Sequence, residues 1–72
     1  MKNSMLFEVG MFCVWCSDDC YYSIREKRSK KELAMRFTYI GVMKFLTDRD
    51  CLVDDIPSPE TLLDLIVRKR TA

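Results

Sequence analysis

The sequence predicts one small α+β domain over residues 1–72, in which a β-hairpin is followed by two helices in the order β-β-α-α. Three observations predict it. The first third of the chain is rich in aromatic and β-branched residues, a capping-box pattern precedes a long apolar segment, and a Ser-Pro-Glu sequence precedes a second one. Since 49% of the 72 residues are hydrophobic, we expect one core and apolar surface left over for a partner.

The hairpin is predicted from two apolar segments. Phe7–Trp15 is rich in Val, Phe, Met and Trp and predicts the first strand, and Cys20–Arg28 begins with two tyrosines and an isoleucine and predicts the second. The Ser-Asp-Asp sequence at residues 17–19 predicts the turn, because short oxygen-bearing side chains bond to their local backbone.

A turn centred on residues 18–19 sets the predicted register. It pairs Trp15 with Tyr22 and Cys13 with Ile24. The face expected to pack on the helices then carries Phe7, Val9, Met11, Cys13, Trp15, Tyr22 and Ile24. The face expected to be exposed carries Phe12, Val14, Cys16 and Tyr21.

The first helix is predicted from Lys30 to Thr47. Ser29 and Glu32 have the spacing of a capping box, in which each side chain bonds to the other residue's amide. Apolar residues follow on nearly every side of the predicted helix, so we expect contacts on more than one face. The sheet should pack on one face, and a second helix or a second subunit on the other.

The second helix is predicted over Pro59–Arg70. Ser58 is placed to be the N-cap, proline is favoured at the first helical position, and Glu60 lies near the positive end of the helix dipole. We expect this helix to close the remaining side of the core with an apolar stripe of Leu62, Leu63 and Ile66.

Charge is unevenly distributed in a chain whose net charge is only +1. Residues 25–36 contain six basic and two acidic side chains, whereas residues 48–64 contain six acidic and one basic. The net charge excludes strong overall attraction to nucleic acid or acidic membranes. The two oppositely charged segments favour self-association or docking on a partner with charged patches of its own.

The cysteines are the only local cluster that suggests a metal. Cys13, Cys16 and Cys20 lie within eight residues, and Cys51 could complete a four-thiolate zinc site. The second Cys-x-x-Cys pair of a zinc signature is missing, and residues three apart in a strand face opposite sides. We therefore interpret the cysteines as reduced structural thiols and expect no cofactor, with a structural zinc site or a disulfide as alternatives.

An enzyme is not expected. The chain contains no histidine, so a cysteine nucleophile lacks its usual base. The acidic pairs Asp18-Asp19 and Asp54-Asp55 are better interpreted as solvated loop residues than as acid–base groups. The set of nucleophile, base and oxyanion donor therefore cannot be filled.

A nucleic-acid site is the alternative function. Clustered cations contact phosphates and tyrosines stack on bases, and the basic segment is preceded by Tyr21 and Tyr22. The acidic segment after Asp48 and the low net charge count against it. The basic residues concerned are Arg25, Lys27, Arg28, Lys30, Lys31 and Arg36.

The preferred hypothesis is a small non-enzymatic cytoplasmic protein that binds another protein or protein complex. Aromatic residues, methionine and arginine, which are enriched at interfaces, are abundant for so short a chain. Such chains are typical of phages and mobile elements, where they inhibit host defence or regulatory complexes, as anti-CRISPR proteins do. We expect a homodimer, formed through the sheet edge or the open face of the first helix, and no membrane span. The candidate partner-binding residues are Phe12, Val14, Tyr21, Arg25, Lys27, Arg28, Lys30, Lys31 and Arg36.

Overall fold

The computed structural model describes residues 4–17 and 21–71, which form a four-stranded antiparallel sheet followed by two helices. The strands lie side by side in chain order. The α+β class and the placement of the helices after the sheet are confirmed. The elements are β1 Ser4–Val9, β2 Phe12–Cys16, β3 Tyr22–Glu26, β4 Glu32–Arg36, α1 Tyr39–Thr47, the 3-10 turn Val53–Asp55 and α2 Pro59–Thr71.

The segment predicted as one strand, Phe7–Trp15, is divided between β1 and β2. The chain reverses at residues 10–11, and Val9 pairs with Phe12 across this two-residue turn. Gly10 has a φ of +56°, a left-handed conformation that glycine adopts without steric cost. The prediction of a single strand was wrong because one glycine in an apolar segment was not interpreted as a turn.

The first half of the predicted helix Lys30–Thr47 is strand β4. Lys30 has a φ of +63°, which no residue inside a right-handed helix adopts. The hydroxyl of Ser29 accepts from the amide of Lys31 at 3.2 Å, which is a turn contact and not the predicted capping box. Helix α1 begins after Thr38, whose hydroxyl accepts from the Gly41 amide at 3.1 Å. Pairing with β3 overrides the local helix signal at residues 32–36.

The register between β2 and β3 is shifted by one residue from the prediction. Val14 lies opposite Ile24, and Cys13 lies opposite Arg25. The ladder continues to Ser17, whose amide donates to the carbonyl of Tyr21 at 3.0 Å. Residues 18–20, which include the predicted turn centre and Cys20, lie outside the described residues.

The main core lies between the sheet and α1. Its buried members come from β1, β2, β3 and α1, with one from the segment before α2, so the sheet packs on the first helix as predicted. A one-residue shift exchanges the two faces of a strand, which is why Val14 is in this core and Cys13 is not. The cluster is Val9, Val14, Ile24, Val42, Phe45, Leu46 and Ile56.

The second helix starts where the sequence predicts. The Ser58 hydroxyl accepts from the Thr61 amide at 3.2 Å, which is the N-cap contact. Helix α2 contacts β1, and Leu62 is its buried anchor. The Tyr39 hydroxyl donates to the Pro57 carbonyl at 2.8 Å and ties the start of α1 to the segment before α2. Neither helix, over the residues described, combines the length and apolar character that a bilayer crossing requires.

Candidate protein-interaction surface

Both faces of the sheet are buried at its centre. Cys13 and Val14 are each 0% exposed, and Ser23 and Ile24 are 2% and 0% exposed. Because successive side chains of a strand point to opposite faces, these pairs show that each face is covered. We call the face of Val14 and Ile24 the helix face, and the face of Cys13 and Ser23 the second face.

On the second face, a tryptophan and an arginine enclose the buried thiol. The indole Nε1 of Trp15 donates to the Sγ of Cys13 at 3.3 Å, and that sulfur lies 3.6 Å from the Arg25 carbonyl oxygen. The guanidinium of Arg25 lies 4.7 Å from the centroid of the Trp15 ring, within cation–π range. The indole is thus held at its Nε1 edge by the thiol and on one face by the guanidinium.

A hydrogen-bond chain continues from this pair to the outer strand. Arg25 Nε donates to the Ser23 hydroxyl at 3.2 Å, and that hydroxyl donates to Glu32 Oε1 at 2.6 Å. Arg25 and Glu32 also pair across β3 and β4. Arg25, predicted as part of a basic patch, is therefore a member of a charge-balanced network beside Trp15.

The strand register aligns one row of side chains across all four strands. Met5 lies opposite Trp15, Trp15 opposite Ser23, and Ser23 opposite Met35. Trp15 and Met5 are half-buried, whereas Met35 is 44% exposed. Two methionines and a tryptophan in one row are the residue types enriched at the centre of protein interfaces.

A second aromatic pair extends this row. The rings of Tyr21 and Phe37 meet edge to face with centroids 6.2 Å apart, and Phe37 is 67% exposed. Tyr21 is half-buried on the second face, beyond the end of β3. We call the set Met5, Trp15, Tyr21, Met35 and Phe37 the second-face patch.

The predicted exposure of Phe12 and Val14 is wrong. They do share a face, as expected, but α1 covers that face. Val14 is 0% exposed, and the ring of Phe12 packs edge to face on Phe45 with centroids 5.9 Å apart. Tyr21, predicted with them, lies instead in the second-face patch.

The six predicted basic candidates divide among three places. Lys27, Arg28, Lys30 and Lys31 are exposed in the turn between β3 and β4, which we call the basic turn. Lys27 lies 3.9 Å from Glu8 in an exposed ion pair, and Arg25 is in the network on the second face.

Arg36 lies at the far end of β4 from the basic turn. Its guanidinium is 5.6 Å from the centroid of the Phe45 ring, and its Nη1 donates to the Met35 carbonyl at 2.8 Å. Tyr22 lies opposite Arg36 and is therefore also at this end of the sheet. A five-residue strand spans roughly 16 Å, so the tyrosines predicted to stack on bases are separated from the basic turn.

The four predicted thiolate ligands do not form a site in the described part of the chain. Cys13 and Cys16 lie on opposite faces of β2, as the three-residue spacing predicts, and Cys20 is outside the described residues. Cys51 follows α1, near Gly10. Among residues 4–17 and 21–71, no three His, Cys, Asp or Glu side chains are grouped to hold a metal ion. Cys13, Cys16 and Cys51 are free thiols.

Cys51 lies in a setting that favours the neutral thiol. Burial raises the pKa of its thiol, and the carboxylates of Asp55 and Asp50 raise the pKa further. Since the thiolate is the nucleophile and the metal ligand, these neighbours lower the reactivity of Cys51. This setting supports the structural interpretation of the cysteine.

Sequence reasoning missed the residues that complete the second-face patch. Met35 and Phe37 were assigned to a helix, and Met5 was assigned to no element. The signal that could have found them is the alternation of Leu33, Met35 and Phe37 with small or polar residues over 32–38, which fits a strand with one apolar face. Comparison with models of known protein families, with curated proteins and with solved structures finds no match to this chain.

Proposed function

We propose that this protein is a small non-enzymatic binding module whose second-face patch docks on another protein. The observation that carries the proposal is the row Met5, Trp15, Ser23 and Met35 across the sheet, flanked by the exposed ring of Phe37. Tryptophan and arginine at the centre of an interface contribute most of the binding energy in many complexes.

The contacts of Trp15 support this role. The thiol of Cys13 and the guanidinium of Arg25 hold the indole in place before any partner arrives. A side chain that is already fixed loses little conformational entropy on binding, so more of its contact energy appears as affinity. The patch is thus organised in advance, and its exposed rim, Met35 and Phe37, can adapt to the partner.

We propose further that the partner is a host macromolecular complex and that the protein is an inhibitor of the kind found in phages and mobile elements, such as anti-CRISPR proteins. The small size, the high apolar fraction and the lack of a recognisable catalytic set support this class. Such an inhibitor acts in the cytoplasm by stoichiometric capture, so its effect should saturate at one inhibitor chain per binding site.

The test is affinity capture followed by measurement of the dissociation constant for the recovered protein. Trp15→Ala removes the centre of the patch, and Ile40→Ala is the matched control, since Ile40 is 75% exposed on α1 and lies outside the patch. We expect Trp15→Ala to weaken binding roughly tenfold or more and Ile40→Ala to leave it unchanged, with both variants folded by circular dichroism. Recovery of the bait alone, or equal binding by both variants, contradicts the proposal.

A second candidate function, nucleic-acid binding, is favoured by one observation: four exposed cations occupy the basic turn. Binding through them should weaken steeply with salt in a gel-shift titration, because phosphate contacts release counterions. The charge reversal Lys30→Glu with Lys31→Glu should abolish the shift, and Lys44→Glu on α1 is the control. A shift that survives the double reversal rules out this site.

A further inference from the structure

Strand β4 is an open edge of the sheet. The strand order places β1 and β4 on the outside. Strand β1 contacts α2 and contains the buried residues Leu6 and Val9, whereas every residue of β4 is exposed except the half-buried Ala34. In the described part of the chain, no strand pairs with the outer side of β4. An unpaired edge of this kind is a template for another strand.

The hydrogen bonds of β3 determine which groups of β4 point outward. The Lys27 amide donates to the Met11 carbonyl at 2.8 Å, and the Ser17 amide donates to the Tyr21 carbonyl at 3.0 Å. These bonds fix the phase of the β2–β3 ladder, in which alternate residues bond to the partner strand. The odd-numbered residues of β3 therefore bond to β2, and the even-numbered residues bond to β4.

The outward groups of β4 follow from this alternation. Ile24 pairs with Ala34 and Tyr22 pairs with Arg36, so the amides and carbonyls of Ala34 and Arg36 are directed to β3. The amide and carbonyl of Met35, between them, are directed away from the sheet. Met35 is thus the central hydrogen-bonding residue of the open edge.

We propose that a second copy of this chain pairs with β4, antiparallel and about a two-fold axis at Met35, to form one continuous sheet from the two chains. In this register Met35 lies opposite Met35 of the second copy, and Leu33 lies opposite Phe37. The side chains of Leu33, Met35 and Phe37 are 43%, 44% and 67% exposed in the single chain. They alternate along the chain and so form one apolar row across the axis.

Charge and side-chain pattern select this register from its neighbours. An axis at Met35 places Arg36 opposite Ala34, whereas an axis at Arg36 would place two arginines opposite each other, which destabilises a strand pair. An axis at Ala34 would place Phe37 opposite Lys31. The register about Met35 is the one that matches every exposed apolar residue of the edge with another.

An apparent charge match does not favour the axis at Ala34. That axis would bring Glu32 opposite Arg36, but the two side chains lie on different faces. Glu32 accepts from Ser23 on the second face, and Arg36 stacks on Phe45 of α1. Glu32 and Arg36 lie on different faces because the β3–β4 register shifts at Leu33, between the pairs Ile24–Ala34 and Arg25–Glu32. Such a bulge changes the face on which the next residue along the strand lies.

Arg36 satisfies the outward carbonyl of Met35 when the chain is alone. Its Nη1 donates to that oxygen at 2.8 Å in an exposed contact. In the pair, the Met35 amide of the second copy takes over this acceptor, while the Arg36 guanidinium stays over Phe45. The edge carbonyl therefore has a donor in both states, and a free chain is tolerated at low concentration.

The experiment uses the fact that a residue on a two-fold axis meets its own copy. Sedimentation of the native chain over a dilution series should give twice the 8.5 kDa monomer mass at the highest concentrations. Met35→Glu and Met35→Lys should each weaken dimerisation roughly tenfold or more, because like charges then face each other across the axis. An equimolar mixture of the two variants should restore the dimer, which excludes misfolding as the cause of the loss.

Two results with the native chain and the Met35 variants overturn the proposal. One is a native chain that stays monomeric over the whole series. The other is a mixture that dimerises no better than either variant alone. The control Ile40→Glu, on α1, should leave the native dimer intact, and dissociation by that variant would assign the interface to α1. Trp15→Ala should remain dimeric, so loss of partner binding and loss of dimerisation are measured separately.

Discussion

The two faces of the sheet are buried to the same extent at the centre but by different kinds of contact. On the helix face, Val14 packs in an apolar cluster with Leu46 of α1. On the second face, Cys13 and Ser23 are buried beneath directional contacts of Trp15 and its arginine neighbour. The stability of the fold should therefore depend mainly on the helix face. The shape of the binding surface should depend mainly on the second face.

The largest expected effect is on the helix face. Leu46 is 0% exposed, and Leu46→Ala removes buried methyl groups and leaves a cavity, so we expect a loss of about 2–5 kcal/mol in the free energy of unfolding. Urea denaturation measures it. Ile40→Ala, at an exposed position of the same helix, should change the value by no more than about 0.5 kcal/mol. Equal losses for both variants would mean that α1 does not cover the sheet.

The next largest effect distinguishes the two faces of the sheet at the neighbouring positions Cys13 and Val14. Cys13→Ala removes the acceptor of the half-buried Trp15 indole and should cost about 0.5–1.5 kcal/mol, the range for the net contribution of one hydrogen bond. Because Trp15 is the single tryptophan, its emission maximum should shift in this variant. Val14→Ala should also destabilise the protein but leave the emission maximum unchanged. A shift in both variants would contradict the assignment of the two residues to opposite faces.

A sheet followed by two helices was predictable from the sequence, but the division of the first strand into β1 and β2 and the presence of β4 were not. The start of α2 depends on Ser58 and Pro59, which act within one turn, and the prediction there is confirmed. Residues 32–36 follow an apparent capping box and were assigned to a helix, but pairing with β3 across the basic turn makes them a strand. Pairing between strands is information that a helix signal within one segment lacks.

The candidate surface was predictable only in part, for a related reason. The opposite facing of Cys13 and Cys16 follows from the two-residue period of a strand, and the prediction holds. The register was missed by one residue, because the ladder ends with Ser17 bonded to Tyr21 and is not centred on residues 18–19 as predicted. That error exchanged the two faces, so Val14 was predicted on the surface and Trp15 in the core.

The smallest effect concerns a titratable group on the helix face. Burial raises the pKa of the Tyr22 hydroxyl, and the neighbouring Cys16 raises it further. The folded state therefore holds this proton more tightly than the unfolded state. The resulting stability is fully present below the ordinary tyrosine pKa and is lost as the pH rises through the raised value.

The free energy of unfolding should thus fall as the pH rises above the ordinary tyrosine pKa of about 10, and Tyr22→Phe should make that fall shallower. We expect a difference of about 0.5 kcal/mol or less, since the side chain is only half-buried and solvent screens the interaction. The raised pKa of Cys51 acts in the same direction, so part of the alkaline loss should remain in Tyr22→Phe and disappear when Cys51→Ser is added. A steeper alkaline loss in Tyr22→Phe would mean that the helix face stabilises the tyrosinate. That result would contradict the desolvation of Tyr22, which distinguishes the helix face from the polar second face.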